Sequence, residues 1–429
     1  MTVSDKDTAL TINLFGLIHV PWKRDMMLKV MLYMAWAAML TVFFQGVLNR
    51  LPFFSDYAEG LIVAAYVIAV LLSFPALINR FCLADYLFYA FNVFYLLSCY
   101  VFFPENSSFL DENALNCIFC VFTFYFIGRI IDIDRYFNAF LMLSTGCIVA
   151  DILYYLVYAQ RTRVMEEIMG DNNMYIAYQL MPHLAFVLWA MLEKFRIWKA
   201  LVFVLGLVFL LSCGSRGAFV CIGFFGIVYF FFYMKFKGAV YVKLGIIGIV
   251  ALLLSSYESL LLVLARSFTD LKLSTRILEK IVTGELGSDS YRSLLRDKLI
   301  SVMDSGGHFW GLGAFGCRNY DIIYPHFLPL DFICTYGYFL GYVLLFLLIL
   351  LIGMAFWLSR GTKRQIFIIY LFSIAFIKLL LSNTFLLEPY FYMLIGACAG
   401  EVIYWHPHLS QTDHDKERVD STLIPVETA

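Results

Sequence analysis

Long apolar stretches separated by short polar connections fill most of this 429-residue chain. Twelve windows have about the 20 predominantly apolar residues that an α-helix needs to cross the hydrocarbon of a bilayer. They cover residues 27–48, 58–79, 82–103, 112–131, 136–158, 174–193, 197–213, 217–234, 239–264, 327–355, 365–383 and 388–405. Because a membrane offers no partners for exposed backbone polar groups, these windows predict helices. The pattern therefore predicts an all-α polytopic membrane protein with about 12 transmembrane helices.

The distribution of positive charge predicts an orientation. With the N-terminus in the cytoplasm, the short outward loops hold only Arg50, Arg161, Arg163 and Arg216, and the inward segments hold most of the other Lys and Arg residues. Cytoplasmic loops of membrane proteins are enriched in these two residue types. We therefore expect both termini in the cytoplasm and an even number of spans.

One connection is much longer than the others and divides the chain. Residues 1–264 contain the first nine predicted helices, residues 265–326 form a predicted external loop rich in Gly, Ser, Asp and Arg, and residues 327–405 contain helices 10 to 12. Residues 406–429 are polar, and we expect a disordered cytoplasmic tail there. Loops of this length are usually functional, so the external loop is a candidate for part of a site.

Two segments of the external loop have distinct patterns. DSYRSLLRDKLISVM, residues 289–303, has apolar residues at helical spacing, with Ser288 or Asp289 as the N-cap. Arg292 and Arg296 then fall four residues apart on one face of the predicted helix. GGHFWGLGAFG has too many glycines for a helix, and it predicts a turning segment with backbone amides open to a ligand.

The composition excludes an ordinary soluble globular protein, because 62% of the residues are hydrophobic and only 15% are charged. The net charge is -1 and there is no dense Lys/Arg tract, so we expect no nucleic-acid partner. Cys117 and Cys120 have CxxC spacing without a second pair or a nearby histidine, and we interpret them as buried apolar side chains. We expect neither a metal site nor a cofactor.

A single arginine interrupts apolar sequence in SCGSRGAFV, residues 212–220. The predicted topology places Arg216 at the outer membrane face, on a very short connection between two helices. One interpretation is a surface arginine whose side chain extends into the headgroup region. The other is a phosphate ligand, because Gly214 and Gly217 let backbone approach a ligand and no carboxylate on this hairpin neutralises the guanidinium.

A histidine lies at the same outer level. YPHFLPLDFICTYGYFLG, residues 324–341, opens the tenth predicted helix with His326. One interpretation is a helix cap or an interfacial side chain. The other is a catalytic group, because an imidazole with an unperturbed pKa of about 6.5 is largely neutral at pH 7 and can accept a proton.

Four features in this order resemble the O-antigen ligase/polymerase superfamily, bacterial enzymes that transfer polyprenyl-diphosphate-linked glycans. They are GSRGA at an outer helix start, the amphipathic segment with Arg292, GLGAFG, and the PH and YGYFLG sequences of residues 325–341. The resemblance extends over about residues 174–345. It implies a GT-C-like membrane glycosyltransferase in the bacterial inner membrane, with its active site on the external side.

The resemblance also implies roles for individual residues. Arg216 and Arg292 are expected to bind the donor diphosphate, and His326 is expected near the acceptor hydroxyl, so these three are the predicted catalytic residues. The family has Asn directly after the motif histidine, where this chain has Phe327. The role of that Asn is therefore unfilled, and Asp331 is a candidate to orient the imidazole despite an awkward spacing of five residues.

Further side chains near these three are candidates for substrate binding. They are Arg296, Ser215, Tyr324, Tyr178 and Asp331. Arg296 has a competing interpretation as the partner of Asp289 or Asp297, and Tyr178 as an aromatic residue of the membrane interface. Asp151 and Lys378 are ionisable groups inside apolar windows, and they form a conceivable ion pair.

These observations predict a polymerase of polyprenyl-diphosphate-linked repeat units, of the O-antigen or capsular type. A lipid diphosphate is a good leaving group, so cations that stabilise it and a base for the acceptor hydroxyl are sufficient for an inverting, metal-independent transfer. The expected partners are undecaprenyl-diphosphate-linked oligosaccharide, membrane lipid and a chain-length regulator protein. The alternative is an O-antigen ligase that transfers polymer to lipid A core, and a flippase for lipid-linked glycans is the less favoured third hypothesis.

Overall fold

The computed structural model describes residues 10–14, 18–22, 64, 82–154, 165–213, 215–234, 292–305 and 309–403. Near the N-terminus, strands β1 (Leu10–Leu14) and β2 (Ile18–Trp22) pair antiparallel. Every longer element in the described ranges is a helix.

The helices follow the apolar windows closely. They are α1 (Leu83–Phe102), α2 (Pro104–Ile130), α3 (Ile133–Tyr154), α4 (Met165–Glu193), α5 (Ile197–Ser212), α6 (Arg216–Tyr233), α7 (Arg292–Ser305), α8 (Leu328–Tyr336), α9 (Tyr338–Leu358), α10 (Lys363–Leu381) and α11 (Pro389–Ile403). Seven of them, all except α5, α7, α8 and α11, are long and apolar enough to cross a membrane, and α5 and α11 are shorter apolar helices. The chain is therefore a helical membrane protein. Apart from residue 64, the predicted spans at residues 27–48, 58–79 and 239–264 lie outside the described residues.

One end of the helix bundle is joined by ion pairs. Nε of Arg129 in α2 lies 3.0 Å from Oδ1 of Asp85 in α1, and both side chains are buried. Nζ of Lys363 at the start of α10 lies 2.8 Å from Oε1 of Glu193 at the end of α4. Nη2 of Arg364 in α10 donates a hydrogen bond of 2.7 Å to the carbonyl oxygen of Gly128 in α2, which links the two pairs. The starts of α1 and α10 and the ends of α2 and α4 therefore lie together, as expected for helices that alternate in direction. We call this the ion-pair end.

The opposite end, where α1 ends and α2 begins, carries part of the predicted external loop. Asn106 is fully buried there. Its Nδ2 donates a hydrogen bond of 2.7 Å to the carbonyl oxygen of Leu312, and its Oδ1 accepts one of 2.5 Å from Nδ2 of Asn319. A buried amide with both polar atoms paired fixes the loop segment on the bundle. We call this the site end.

The tenth predicted span, residues 327–355, is not one helix. Gly337 separates α8 from α9 and has φ of 82°, in the left-handed region that favours glycine. The chain folds back there, so that a β-carbon added to Gly341 in the first turn of α9 would lie 2.8 Å from the carbonyl oxygen of Phe332 in α8. The expectation of a single helix was wrong, because the sequence stays apolar through the break.

Candidate active site

Helix α7 brings two arginines to the start of α8. It begins at Arg292, which confirms the helix predicted within residues 289–303. Nη1 of Arg292 donates a hydrogen bond of 2.8 Å to the carbonyl oxygen of Leu381, the last residue of α10. The guanidinium of Arg296 lies 5.8 Å from the centroid of the Phe327 ring. Both side chains therefore point to the junction between the external loop and the helix bundle.

His326 lies at this junction in an uncommon backbone conformation. Its φ is 55°, a left-handed value that costs a non-glycine residue about 1 kcal/mol. Its ring centroid lies 4.3 Å from that of Tyr324, and its Nδ1 is buried with no hydrogen-bond partner in the described part of the chain. We call Arg292, Arg296, Tyr324 and His326 the arginine–histidine group.

The electrostatics of this group keep the imidazole neutral. Burial, followed by the charges of Arg292 and Arg296, lowers the pKa of His326 from 6.5 to about 4. Both effects act against the charged form, since burial removes hydration and the guanidinium groups repel a second cation. His326 is therefore unprotonated at pH 7, and one nitrogen of its neutral ring is able to accept a proton.

A second set of polar side chains lies on the other side of Arg292. The hydroxyl of Tyr178 in α4 adjoins the hydroxyls of Ser215 and Ser382, and the charge of Arg292 acts on the same phenol. A β-carbon on Gly217 would overlap this hydroxyl, so the glycine lets Tyr178 lie against the start of α6. Gly217 thus makes room for a side chain of the protein itself, whereas the sequence suggested close approach to a ligand.

Lys378 and Glu388 complete this second set with an ion pair. Nζ of Lys378 lies 5.3 Å from the centroid of the Tyr178 ring, and Nδ2 of Asn383 donates a hydrogen bond of 3.0 Å to Oε2 of Glu388. Lys378 therefore has Glu388, and not Asp151, as its partner. The sequence shows Lys378 as a cation inside an apolar window. Its partner Glu388 could not be predicted from helical spacing, because a turn separates the two residues. We call Tyr178, Ser215, Ser382, Lys378 and Glu388 the tyrosine–lysine group.

Asp331 has a different role from the one expected. Its Oδ2 accepts a hydrogen bond of 3.0 Å from the backbone nitrogen of Phe385, and its carboxylate is also bonded by the Thr384 side chain. These bonds join α8 to the turn between α10 and α11. His326 precedes this helix in a left-handed backbone conformation, so the helical spacing assumed from the sequence does not apply, and no hydrogen bond joins Asp331 to His326 in the described residues. The prediction that it orients the imidazole was wrong.

The glycine-rich GLGAFG segment is part of the packed interior. Residues 311–316 are all buried. The backbone nitrogen of Leu312 donates to the carbonyl oxygen of Cys334 at 2.6 Å, and that of Ala314 donates to Sγ of Cys99 at 3.4 Å. The segment therefore joins α8 to α1. The expectation that its amides are open to a ligand was wrong for these two groups, which have partners within the protein.

Arg216 is the first residue of α6 and directly follows Ser215. It is partly exposed at the site end of the bundle. The structure thus brings Arg292, Arg296, Tyr324 and His326 together and places Tyr178 and Ser215 beside Arg292, with Arg216 next in sequence to that second set. The role of Arg216 as a diphosphate ligand stays a prediction.

In the ranges the structure describes, no three His, Cys, Asp or Glu side chains are arranged to hold a metal ion.

Comparison with known proteins adds no relative: no family model matches the chain, and neither a curated protein nor a solved structure matches it.

Proposed function

We propose that this protein polymerises polyprenyl-diphosphate-linked oligosaccharide repeat units at the external face of a bacterial inner membrane. The proposal includes a GT-C-like bundle of about 12 helices with both termini in the cytoplasm. The growing glycan leaves its lipid diphosphate and is transferred to a hydroxyl of the incoming lipid-linked repeat unit. Undecaprenyl-diphosphate-linked oligosaccharide serves as both donor and acceptor, and a chain-length regulator is the expected protein partner.

The reaction requires one bond to form and one to break. The acceptor oxygen attacks the anomeric carbon, and the bond from that carbon to the diphosphate oxygen breaks. The proton of the acceptor hydroxyl passes to His326, and polyprenyl diphosphate leaves as an anion stabilised by Arg292 and Arg216. A single displacement of this kind inverts the configuration at the anomeric carbon.

The observation that best supports the proposal is the position and pairing of Arg292. Its charge acts on both His326 and Tyr178, yet its hydrogen-bond partner in the described residues is a neutral carbonyl and not a carboxylate. A guanidinium without a carboxylate is free to form charge-assisted bonds to a phosphate. The arrangement therefore suits a diphosphate that enters next to a neutral imidazole.

Donor binding would also strengthen the base. The positive charges of Arg292 and Arg296 help to hold the pKa of His326 at about 4 in the unoccupied site. A diphosphate bound to these guanidinium groups offsets their charge, so the pKa of His326 rises when the donor is present. The imidazole then becomes a stronger proton acceptor in the complex that reacts.

Deletion of the gene followed by complementation with variants tests the proposal. Arg292→Gln and His326→Ala should each reduce chain extension by about 100-fold, since each removes a group that acts on the transition state. The cells should then carry single repeat units. Lys298→Gln is the matched control, because Lys298 lies on the same helix but donates to the carbonyl oxygen of Tyr320. Its glycan ladder should be normal.

Other outcomes of the same experiment contradict the proposal. Long polymer retained on its lipid carrier would indicate a ligase that transfers to lipid A core. Single units trapped inside the cell would indicate a flippase. Normal ladders from correctly inserted Arg292→Gln and His326→Ala proteins would remove both residues from the site.

A further inference from the structure

We infer that Lys378 is an additional ligand of the donor diphosphate and that Glu388 holds its ammonium group in position until the donor arrives. This inference rests on the proposed function, since it assigns a further cation to the same site. It extends the site from the external loop to the end of α10.

The geometry places Lys378 and Arg292 around the same point. The Lys378 ammonium lies over the Tyr178 ring, and the charge of Arg292 acts on the hydroxyl of that tyrosine. Arg292 also donates to the carbonyl oxygen of Leu381, which is less than one helical turn from Lys378. The two cations therefore flank one tyrosine, with the hydroxyls of Ser215 and Ser382 beside it.

The charge balance of this region favours an anionic ligand. Arg292 and Lys378 bring two positive charges to the surroundings of Tyr178, and Glu388 is the carboxylate that faces Lys378 in the described residues. Among the described residues around Tyr178 there is thus one carboxylate for two cations, and a diphosphate entering there would neutralise the remaining positive charge.

The ion pair is also suited to hold the Lys378 ammonium group in place before the donor binds. The side chain of Lys378 is 12% exposed and that of Glu388 is 1% exposed, so an unpaired ammonium here would be costly. Oε1 of Glu388 is buried without a hydrogen-bond partner in the described residues, and Oε2 is also bonded by Asn383. Glu388 therefore keeps one partner when Lys378 turns to a phosphate.

A purely structural role for the pair, joining α10 to α11, predicts different behaviour. In that case Lys378→Gln and Glu388→Gln act alike, because each breaks the same contact. If Lys378 binds the diphosphate, the two substitutions act in opposite directions. The first removes a cation that attracts the ligand, and the second removes an anion that competes with it.

Isothermal titration of the purified full-length protein in detergent separates these cases. The probes are farnesyl diphosphate and inorganic pyrophosphate, which distinguish a lipid-linked diphosphate from the free anion. For farnesyl diphosphate, Lys378→Gln should weaken binding by about 10-fold, the loss of one charge-assisted contact. Lys378→Arg should stay close to the wild type, and Glu388→Gln should bind as tightly or more tightly. Pyrophosphate should show the same order with weaker binding throughout.

The control is Lys363→Gln at the other end of α10. Lys363 is also paired with a carboxylate, that of Glu193, so its loss tests for a general effect of breaking an ion pair. It should leave the affinity unchanged. Lys378→Gln leaves Glu388 without its partner and so is at risk of misfolding. If this variant does not elute as a monodisperse species, the affinities of Lys378→Arg and Glu388→Gln are compared with that of the wild type instead.

Wild-type affinity in Lys378→Gln overturns the inference, as does equal weakening in Lys378→Gln and Glu388→Gln. If Arg292→Gln loses binding while Lys378→Gln keeps it, the proposed function stands and the role of Lys378 fails. If the wild type binds neither probe, the inference and the diphosphate site of the proposed function both fail.

Discussion

The most informative residue is His326, whose conformation and charge state are both unusual. It has a left-handed backbone and a buried Nδ1 without a partner among the described residues, and its pKa is about 4. A structural histidine usually has both ring nitrogens satisfied by partners or water. The combination supports the proposal that His326 is a proton acceptor, since its surroundings keep the imidazole neutral.

The pH dependence of the reaction should report this charge state. The imidazole accepts a proton only when it is unprotonated, so kcat/KM should be nearly constant above pH 5 and fall towards pH 4. Arg296→Gln removes one cation next to His326 and therefore raises its pKa. We expect kcat/KM at pH 5, relative to pH 7.5, to fall in this variant.

Lys298→Gln on the same helix is the control for this measurement. Its charge does not act on His326, so its profile should match that of the wild type. A profile for Arg296→Gln that also matches the wild type would show that His326 is not the base. A fall near pH 6.5 in the wild type itself would show that the free-enzyme imidazole is not held neutral by this environment.

At the scale of elements, the fold-back of α8 against α9 determines how the site is assembled. The turn at Gly337 brings α8 against the first turn of α9, and Gly337 and Tyr338 lie against Phe309 and Trp310 of the external loop. Asp331 then joins α8 to the turn between α10 and α11. His326, Lys378 and Glu388 belong to the segments that these contacts connect.

Gly337→Ala tests the importance of this turn. Its φ of 82° disfavours any residue with a β-carbon, which would also overlap the carbonyl oxygen of Phe309. We expect a cost of about 1–3 kcal/mol in stability, measured as a lower thermal unfolding temperature in detergent. Gly353→Ala in α9 is the matched control, because its added β-carbon would meet nothing within 4 Å. An equal effect of the two substitutions would contradict the account of the turn.

The sequence predicts the helices far better than it predicts their interruptions. Nine of the twelve apolar windows correspond to described helices, because crossing a membrane requires long apolar segments. The break at Gly337 is hidden, since apolar residues continue on both sides. The helix with Arg292 and Arg296 was predictable from the helical spacing of its apolar residues. The ion pair of Lys378 with Glu388 and the hydrogen bonds of Asp331 were not, because their partners lie on other segments of the chain.

At the scale of the whole molecule, the two ends of the bundle differ in how charge is used. At the ion-pair end, Arg129 and Lys363 are neutralised by Asp85 and Glu193. At the site end, Lys378 is likewise paired with Glu388, but Arg292 has only a carbonyl partner in the described residues. This asymmetry is expected if one end is structural and the other receives an anionic substrate.

Reconstitution of the purified protein into liposomes with undecaprenyl-diphosphate-linked repeat units tests the central claim most directly. The measurement is the number of glycosidic bonds formed and the amount of undecaprenyl diphosphate released. The account predicts products with several repeats on one lipid, one released diphosphate for each new bond, and loss of both products in Arg292→Gln and His326→Ala. Lipid-linked units that stay single with the wild-type protein, or polymer of normal length from both variants, would contradict it.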